Sequence, residues 1–278
     1  MKVTYIHHSG YMVELEKSIL LFDWWKGDLP VIDPEKDLYV FVSHAHEDHY
    51  SENIWAFRET YPVQYILFEE IAPEQGDGVK MRGMGAVQTG NGSKAQGADR
   101  GDILRVVPHQ EYELPGYGIG ESVSQGTETS ANEAADSTGA SANPTRPSGL
   151  HIETLLSTDQ GVAFLVQTEG KTIYHAGDLN IWYWDDEPEE DNRWQVETYK
   201  DEMKRLAGKH IDVAFVPMDP RLGDHAVRAA ECFLERNDCD VMFPMHYWER
   251  MKKIREYLKD PRIAPYADII CTEAEKTF

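Results

Sequence analysis

Cysteine is scarce in this chain of 278 residues: three, at Cys232, Cys239 and Cys271. The number is odd and no two form a Cys-x-x-Cys pair. That argues against a disulfide framework and a thiolate zinc site, and suits a reducing compartment. Basic residues are in deficit, 27 Lys and Arg against 49 Asp and Glu, for a formal charge of −22. A surface that acidic repels phosphate backbones, and no Lys/Arg stripe offsets it, so nucleic-acid binding is not expected. No apolar run is long enough to span a bilayer, and Met1-Lys2-Val3-Thr4-Tyr5-Ile6-His7-His8 carries no apolar signal core. These absences lead us to expect a soluble, cytoplasmic protein with no membrane partner.

Hydrophobic residues make up 41% of the chain, enough for a sizeable core. Short β-branched or aromatic runs predict strands at Val3–Ile6, Tyr11–Glu16, Ile19–Phe22, Leu38–Val42, Gln64–Phe68, Asp102–Val107, Glu111–Leu114 and Ile152–Leu156. Val162–Thr168 and Lys171–Ala176 predict a hairpin through Glu169-Gly170. Further strands are expected at Val213–Val216, Val241–Phe243 and Asp268–Cys271. Helices are expected over Ser51–Glu59 with Ser51 as cap, Gln195–Ala207, Asp224–Arg236 with Asp224 as cap, and Trp248–Leu258. Strands lead and helices follow in each half, which suits two sheets packed face to face with helices outside. Residues 1–278 read as one domain carrying polar insertions near 73–101 and 116–149. The second is almost free of large apolar residues, too few to fold by itself, and is expected to be disordered. The acidic run Asp185, Asp186, Glu187, Glu189, Glu190 and Asp191 reads as a solvated loop.

The most informative stretch is His44-Ala45-His46-Glu47-Asp48-His49, directly after the apolar run ending in Ser43. Three imidazoles and a carboxylate in one loop serve no packing purpose, and imidazole is the commonest biological metal ligand near neutral pH. A loop leaving the end of a buried strand is where sites are usually built. The pattern His-x-His-x-Asp-His resembles the first metal motif of the metallo-β-lactamase superfamily. In that family the first two His hold one metal, and the Asp and the last His hold a second.

Other segments extend the resemblance. Ile173-Tyr174-His175-Ala176-Gly177-Asp178 resembles the family's Gly-Asp motif, whose carboxylate bridges both metals. Phe243-Pro244-Met245-His246 resembles the segment carrying the last metal His. Where the family supplies a further His, this chain reads Ser157-Thr158-Asp159. Asp159 lies one hairpin ahead of Asp178 and is the preferred ligand over His151, with His109 a third choice. Together with Ile6-His7-His8-Ser9-Gly10 and Pro244-Met245-His246-Tyr247-Trp248, these segments look like the branch that contains the L-ascorbate-6-phosphate lactonase. The resemblance implies an α/β (α+β) fold, a four-layer αββα sandwich of two mixed sheets with helices outside.

It implies a site as well. His44, His46 and Asp159 would hold one ion, Asp48, His49 and His246 the other, with Asp178 between them. The cofactor expected is two divalent ions, Zn²⁺ or Mn²⁺, because imidazole suits the first and carboxylate the second. Asp48 and Asp178 are the catalytic candidates. His8, Arg221, Trp182 and Trp184 are candidates for substrate binding, and Trp24 and Trp25 for the pocket mouth. Arg221 could instead pair with Asp219 or Asp224. Asp23 could orient the His loop from behind, and His175 reads as structural. His7, His210 and His225 carry no site argument.

The expected activity is hydrolysis of a small anionic ester, lactone or phosphodiester by metal-activated water. The partner is a small-molecule substrate, and a homo-oligomer is possible. Three alternatives share the scaffold. An iron-dependent redox enzyme is disfavoured because diiron members usually carry Glu where this chain has His46. A nuclease or RNA-processing enzyme is disfavoured by charge. A non-catalytic binding module is disfavoured by the retained ligand set.

Overall fold

The computed structural model describes residues 1–71, 87–88, 102–116 and 149–278. Most of the two polar insertions therefore lies outside the described residues. The strands are β1 (Lys2–His7), β2 (Gly10–Glu14), β3 (Ser18–Phe22), β4 (Asp37–Val42), β5 (Val63–Phe68), β6 (Val87–Gln88), β7 (Ile103–Val106), β8 (Glu111–Leu114), β9 (Leu150–Leu156), β10 (Val162–Thr168), β11 (Lys171–His175), β12 (His210–Pro217), β13 (Asp238–Met245) and β14 (Glu275–Thr277). The helices are α1 (Glu189–Arg205), α2 (Arg228–Arg236) and α3 (Met251–Tyr257). The strands form two sheets, ordered β14-β1-β2-β3-β4-β5-β7 and β13-β12-β11-β10-β9-β8-β6.

Both sheets are mixed. In the first, β1, β2 and β3 pair antiparallel, while β3, β4, β5 and β7 pair parallel. In the second, β8 to β11 pair antiparallel, while β11, β12 and β13 pair parallel. β4 is buried along its whole length, as a strand covered on both faces must be. Glu169 (φ 50°) and Gly170 (φ 70°) close the β10–β11 hairpin, two left-handed residues as a tight hairpin turn requires.

Aromatic side chains join the sheets. Phe41 meets Phe164 edge-on at 5.3 Å, and Tyr11 packs 4.4 Å from Phe215 while its hydroxyl donates to Pro244 O at 2.8 Å. Each such buried ring stabilises the fold by about 1.5–3 kcal/mol. α1 packs on α2 and on β9, and α2 on β12, so these helices cover the second sheet. A 3₁₀ helix over Glu52–Glu59, capped by Ser51, covers the first: Tyr65 of β5 donates its hydroxyl to Ile54 O.

Four local expectations change. α1 begins at Glu189, so Glu189, Glu190 and Asp191 are its first turn, where the helix dipole favours carboxylates, rather than loop. Asp224 caps no helix: a 3₁₀ turn over Pro220–His225 kinks at Gly223, and Asp219 caps that turn. Asp268–Cys271 is not a strand, because only Ile270 bridges Met242. The last strand is β14, too short and polar to announce itself by pattern. No helix among the described residues is long and apolar enough to cross a membrane.

Candidate metal centre

Strand direction brings the chemistry together. β1, β3 and β4 run the same way in their sheet, and β9, β11, β12 and β13 the same way in theirs. At the carboxyl ends of these seven strands lie, in turn, His8, Asp23, His44–His49, Asp159, Asp178, Asp219 and His246. Sites in open α/β sheets collect at carboxyl ends because the connecting loops there are free to diverge.

The sheets touch at Ser43. Val162 N donates to Ser43 O at 3.1 Å. A Cβ on Gly161 would stand 2.0 Å from Ser43 O, and one on Gly177 would stand 2.7 Å from Ser43 Cβ. Both glycines have positive φ, 79° and 52°. Only residues without a side chain let the loops of Asp159 and Asp178 come this close to the His loop. His8 (φ 56°), Asp23 (φ 43°) and His246 (φ 59°) also hold left-handed backbone, the kind of strain that clusters where side chains are aimed for function.

Two ligand groups converge. His44, His46 and Asp178 form one, and His8, Asp48, His49 and His246 the other, each with donor atoms within 4.8 Å of one another. Asp178 faces both: Oδ2 is 3.5 Å from His44 Nε2, and Oδ1 is 3.2 Å from His49 Nε2 and 3.5 Å from His246 Nε2. Asp48 Oδ2 lies 3.2 Å from His8 Nε2 and 3.8 Å from His246 Nε2. His44 Nε2 and His46 Nδ1 stand 3.0 Å apart.

Three of the buried imidazoles are oriented from behind. Ser43 donates its hydroxyl proton to Asp23 Oδ2 at 2.7 Å, so its oxygen accepts from His44 Nδ1 at 3.0 Å. His49 Nδ1 donates to Asp23 Oδ2 at 2.8 Å, and His246 Nδ1 to Asp219 Oδ2 at 2.9 Å. All three bonds leave Nε2 as the inward nitrogen, the outer-shell arrangement that fixes the tautomer of metal-binding histidines.

The donors present fit a metal. His49 Nε2, Asp178 Oδ1 and both ring nitrogens of His8 are buried without a hydrogen-bond partner. Buried polar atoms are rarely left unpaired, and cations held by the two groups would satisfy those that face inward. Protonation suits a metal at His44 and Asp178, while metal-free His49 keeps a proton that an ion would have to displace. Burial, then the charge of His49, lowers the His44 pKa to about 4, so its imidazole is neutral at pH 7. Burial opposes charge on His49, but Asp178 and Asp23 on either side override it and hold its pKa well above the ordinary value. Burial likewise resists the Asp178 carboxylate, and His49 and His246 overcome it, keeping the acid ionised. For Asp219, hydrogen bonds from His246 and Arg221 outweigh burial and bring the pKa to about 2.

The centre opens into a cavity of about 440 Å³ lined by His46, Asp48, Asp159, Asp178, Trp182 and Trp184, and by Glu187, Asp191, Asn192, Gln195, Arg221 and His246. Asp159 lines it but joins neither compact group, and burial, then the nearby Asp178, raises its pKa. His8 does the reverse: expected at the pocket, it sits inside the second ligand group. His151 is bonded to Glu113 (2.7 Å) on β8, and His109 to Glu202 (2.8 Å) on α1, so neither reaches the centre. Trp182 lies edge-on to His246 at 5.3 Å and donates to Asp178 O. Trp24 and Trp25 do not line this cavity: one packs on Phe57, the other on His7. Arg221 pairs with Asp219 and not with Asp224. His175 stacks on Phe22 and bonds Ser9 O, a structural role. His7 pairs with Glu249, His225 with Asp185, and His210 with Asp238, all outside the centre. Asp219 as the group that orients His246 had no local signal beyond standing at the end of a strand.

A family profile described as "Beta-lactamase superfamily domain" matches residues 2–197. A protein of Opitutus terrae named a metal-dependent hydrolase is 29% identical over 227 residues, 78% of this chain and 72% of its own length. A similarly named protein of Methanosarcina barkeri is 24% identical over 252 residues, 89% of this chain and 83% of its own length. Among solved structures, Igni18, a metallo hydrolase of the archaeon Ignicoccus hospitalis, superposes with a TM-score of 0.55 at 16% identity. It covers 100% of this chain and 98% of its own, a likeness of fold.

Proposed function

This chain belongs to the β-lactamase superfamily, matched through residues 2–197, and on that premise we propose that it is a metal-dependent hydrolase of a small ester, lactone or phosphodiester. The observation that supports this most directly is the pair of compact ligand groups beside an open cavity, with His49 Nε2, Asp178 Oδ1 and the His8 nitrogens buried and without a hydrogen-bond partner. The names of the relatives support the class of reaction.

Two divalent ions, Zn²⁺ or Mn²⁺, would polarise the oxygen of the scissile group and acidify an attacking water. His44, His46 and Asp159 would hold one, and His49, Asp48 and His246, joined by His8, the other. Asp178 would serve both, because its two oxygens face different groups. Asp48, at the cavity surface and kept ionised because His8 and His49 outweigh its burial, is placed to take a proton and pass it to the leaving group. Trp182 holds the Asp178 loop by its bond to Asp178 O, and its ring lies edge-on to His246.

The test is elemental analysis of wild type, Asp178→Ala and His246→Ala, with hydrolysis of an ester, lactone and phosphodiester panel. About two ions per chain and metal-dependent turnover in wild type, lost in both variants, is the expected result. Full metal content and rate in either variant refutes the assignment.

A further inference from the structure

The charge distribution inside the cavity speaks to the part of the substrate remote from the reacting group. Apart from the ligand carboxylates, two acids line the wall, Glu187 and Asp191. Both are exposed, and no ion pair neutralises either one among the described residues. Arg221 is the one Lys or Arg lining the cavity among the described residues. Its charge is already engaged: Nη2 is 2.5 Å from buried Asp219 Oδ2, and the guanidinium lies 4.8 Å from the Trp248 ring centre. The anionic substrate expected from the sequence would therefore meet two free carboxylates and no free cation in this wall.

The helix dipole explains part of the placement. Glu189, Glu190 and Asp191 occupy the first turn of α1, where about half a positive charge resides. It does not explain Glu187, which precedes the helix, and the first-turn acids outweigh that half charge. The wall is also held in shape. Asn192, buried, accepts from Trp184 N at 3.0 Å and donates to Trp184 O at 2.8 Å. Gln195 donates to Thr158 O at 3.1 Å, fastening α1 to the loop that carries Asp159. Trp184 lines the same cavity, and an aromatic face beside carboxylates is a favourable environment for an organic cation.

We propose that the substrate carries a cation at its remote end, a protonated or quaternary amine, held by Glu187, Asp191 and the Trp184 ring while its ester or lactone group addresses the metal centre. The second half of that statement rests on the hydrolytic function proposed above; the cation subsite does not. Net charge then acts locally, drawing a positively charged molecule toward an acidic cleft.

Choline and 3,3-dimethylbutan-1-ol share a shape and differ in charge, so each is titrated calorimetrically into metal-loaded protein at low salt. Choline should bind about tenfold more tightly, the combined effect of an exposed cation–π contact and two partly screened carboxylates. The Glu187→Gln/Asp191→Asn double variant should keep its metal and bring the two ligands within about twofold of each other. Equal binding to wild type, or a preference that survives in the double variant, overturns the proposal. Cleavage of acetylcholine and 3,3-dimethylbutyl acetate is measured in parallel. If the choline preference holds and neither these esters nor any member of the ester, lactone and phosphodiester panel is cleaved, the cation subsite stands and the hydrolytic function falls.

Discussion

Replacing Asp219 by Asn tests whether this carboxylate sets the chemistry of His246. Asp219 is fully buried and accepts four donors. Arg221 N comes to Oδ1 at 2.8 Å, while His246 Nδ1 (2.9 Å), Trp248 Nε1 (3.2 Å) and Arg221 Nε (2.7 Å) share Oδ2. An amide has one oxygen. If it takes the Oδ1 place, its NH₂ meets three donors, and His246 escapes the clash only by moving its proton to Nε2. That is the nitrogen aimed at Asp178 and Asp48. The inward lone pair is then lost. Losing such an outer-shell carboxylate should weaken metal binding by about 10–100-fold, or about 1.4–2.7 kcal/mol. Arg221→Ala is the comparison, because it removes a donor but leaves the carboxylate and the His246 tautomer, and should change affinity by less than about threefold. The assay is Zn²⁺ competition against a chromophoric chelator, with thermal unfolding to verify that each variant folds. An Asp219→Asn protein that folds and binds Zn²⁺ within about twofold of wild type would refute the tautomer argument.

Other consequences follow from the same geometry. In metal-free protein, His44 titrates at about 4 folded against an ordinary value of 6.5. The unfolded chain therefore takes the proton first, so this contribution is intact above pH 6.5 and lost as pH falls toward 4. It amounts to about 3 kcal/mol; urea unfolding from pH 7 to 4.5 should show a shallower decline in His44→Gln, and parallel curves would count against it. His49 is held protonated by Asp178 and Asp23 and must lose a proton to become a ligand. Calorimetric metal titration near neutral pH, in two buffers of different ionisation enthalpy, should thus register proton release that shrinks in His49→Gln. Gly161→Ala should destabilise by about 2–4 kcal/mol, because its Cβ would overlap Ser43 O at a positive φ, and urea denaturation measures it directly. A loss under about 1 kcal/mol would mean the loop relaxes away from Ser43.

Much of the fold was legible because buried strands write themselves in β-branched and aromatic runs. Glu111–Leu114 and Val162–Thr168 were read to the residue, and the Glu169-Gly170 turn by its tolerance of left-handed backbone. α1 starts six residues before the helix expected at Gln195, because its acidic first turn looks like a solvated loop until the helix dipole is counted. β14 and the kinked turn at Gly223 have no apolar period to betray them.

The ligand loop was legible for a different reason. His44, His46, Asp48 and His49 sit in one short segment, so their proximity is a property of the covalent chain, and Asp178 and His246 are marked by the strands that end just before them. The sequence by itself thus determined which residue types a metal would meet and on which strands they would arrive. Spacing favours Asp159 over His151 without deciding between them, because both lie near the same hairpin; the alternation of β9 turned His151 toward Glu113, and the loop after it carried Asp159 into the cavity. Nor could the sequence pair Asp219 with His246 or His8 with Asp48, which are distant along the chain and meet only where strands of common direction end together; Asp23 does stand behind the His loop as expected, on His49. Tertiary structure decided those partnerships, because the orientation of an imidazole and the charge of a buried carboxylate depend on what is packed beside them, and packing joins residues without regard to their separation in sequence.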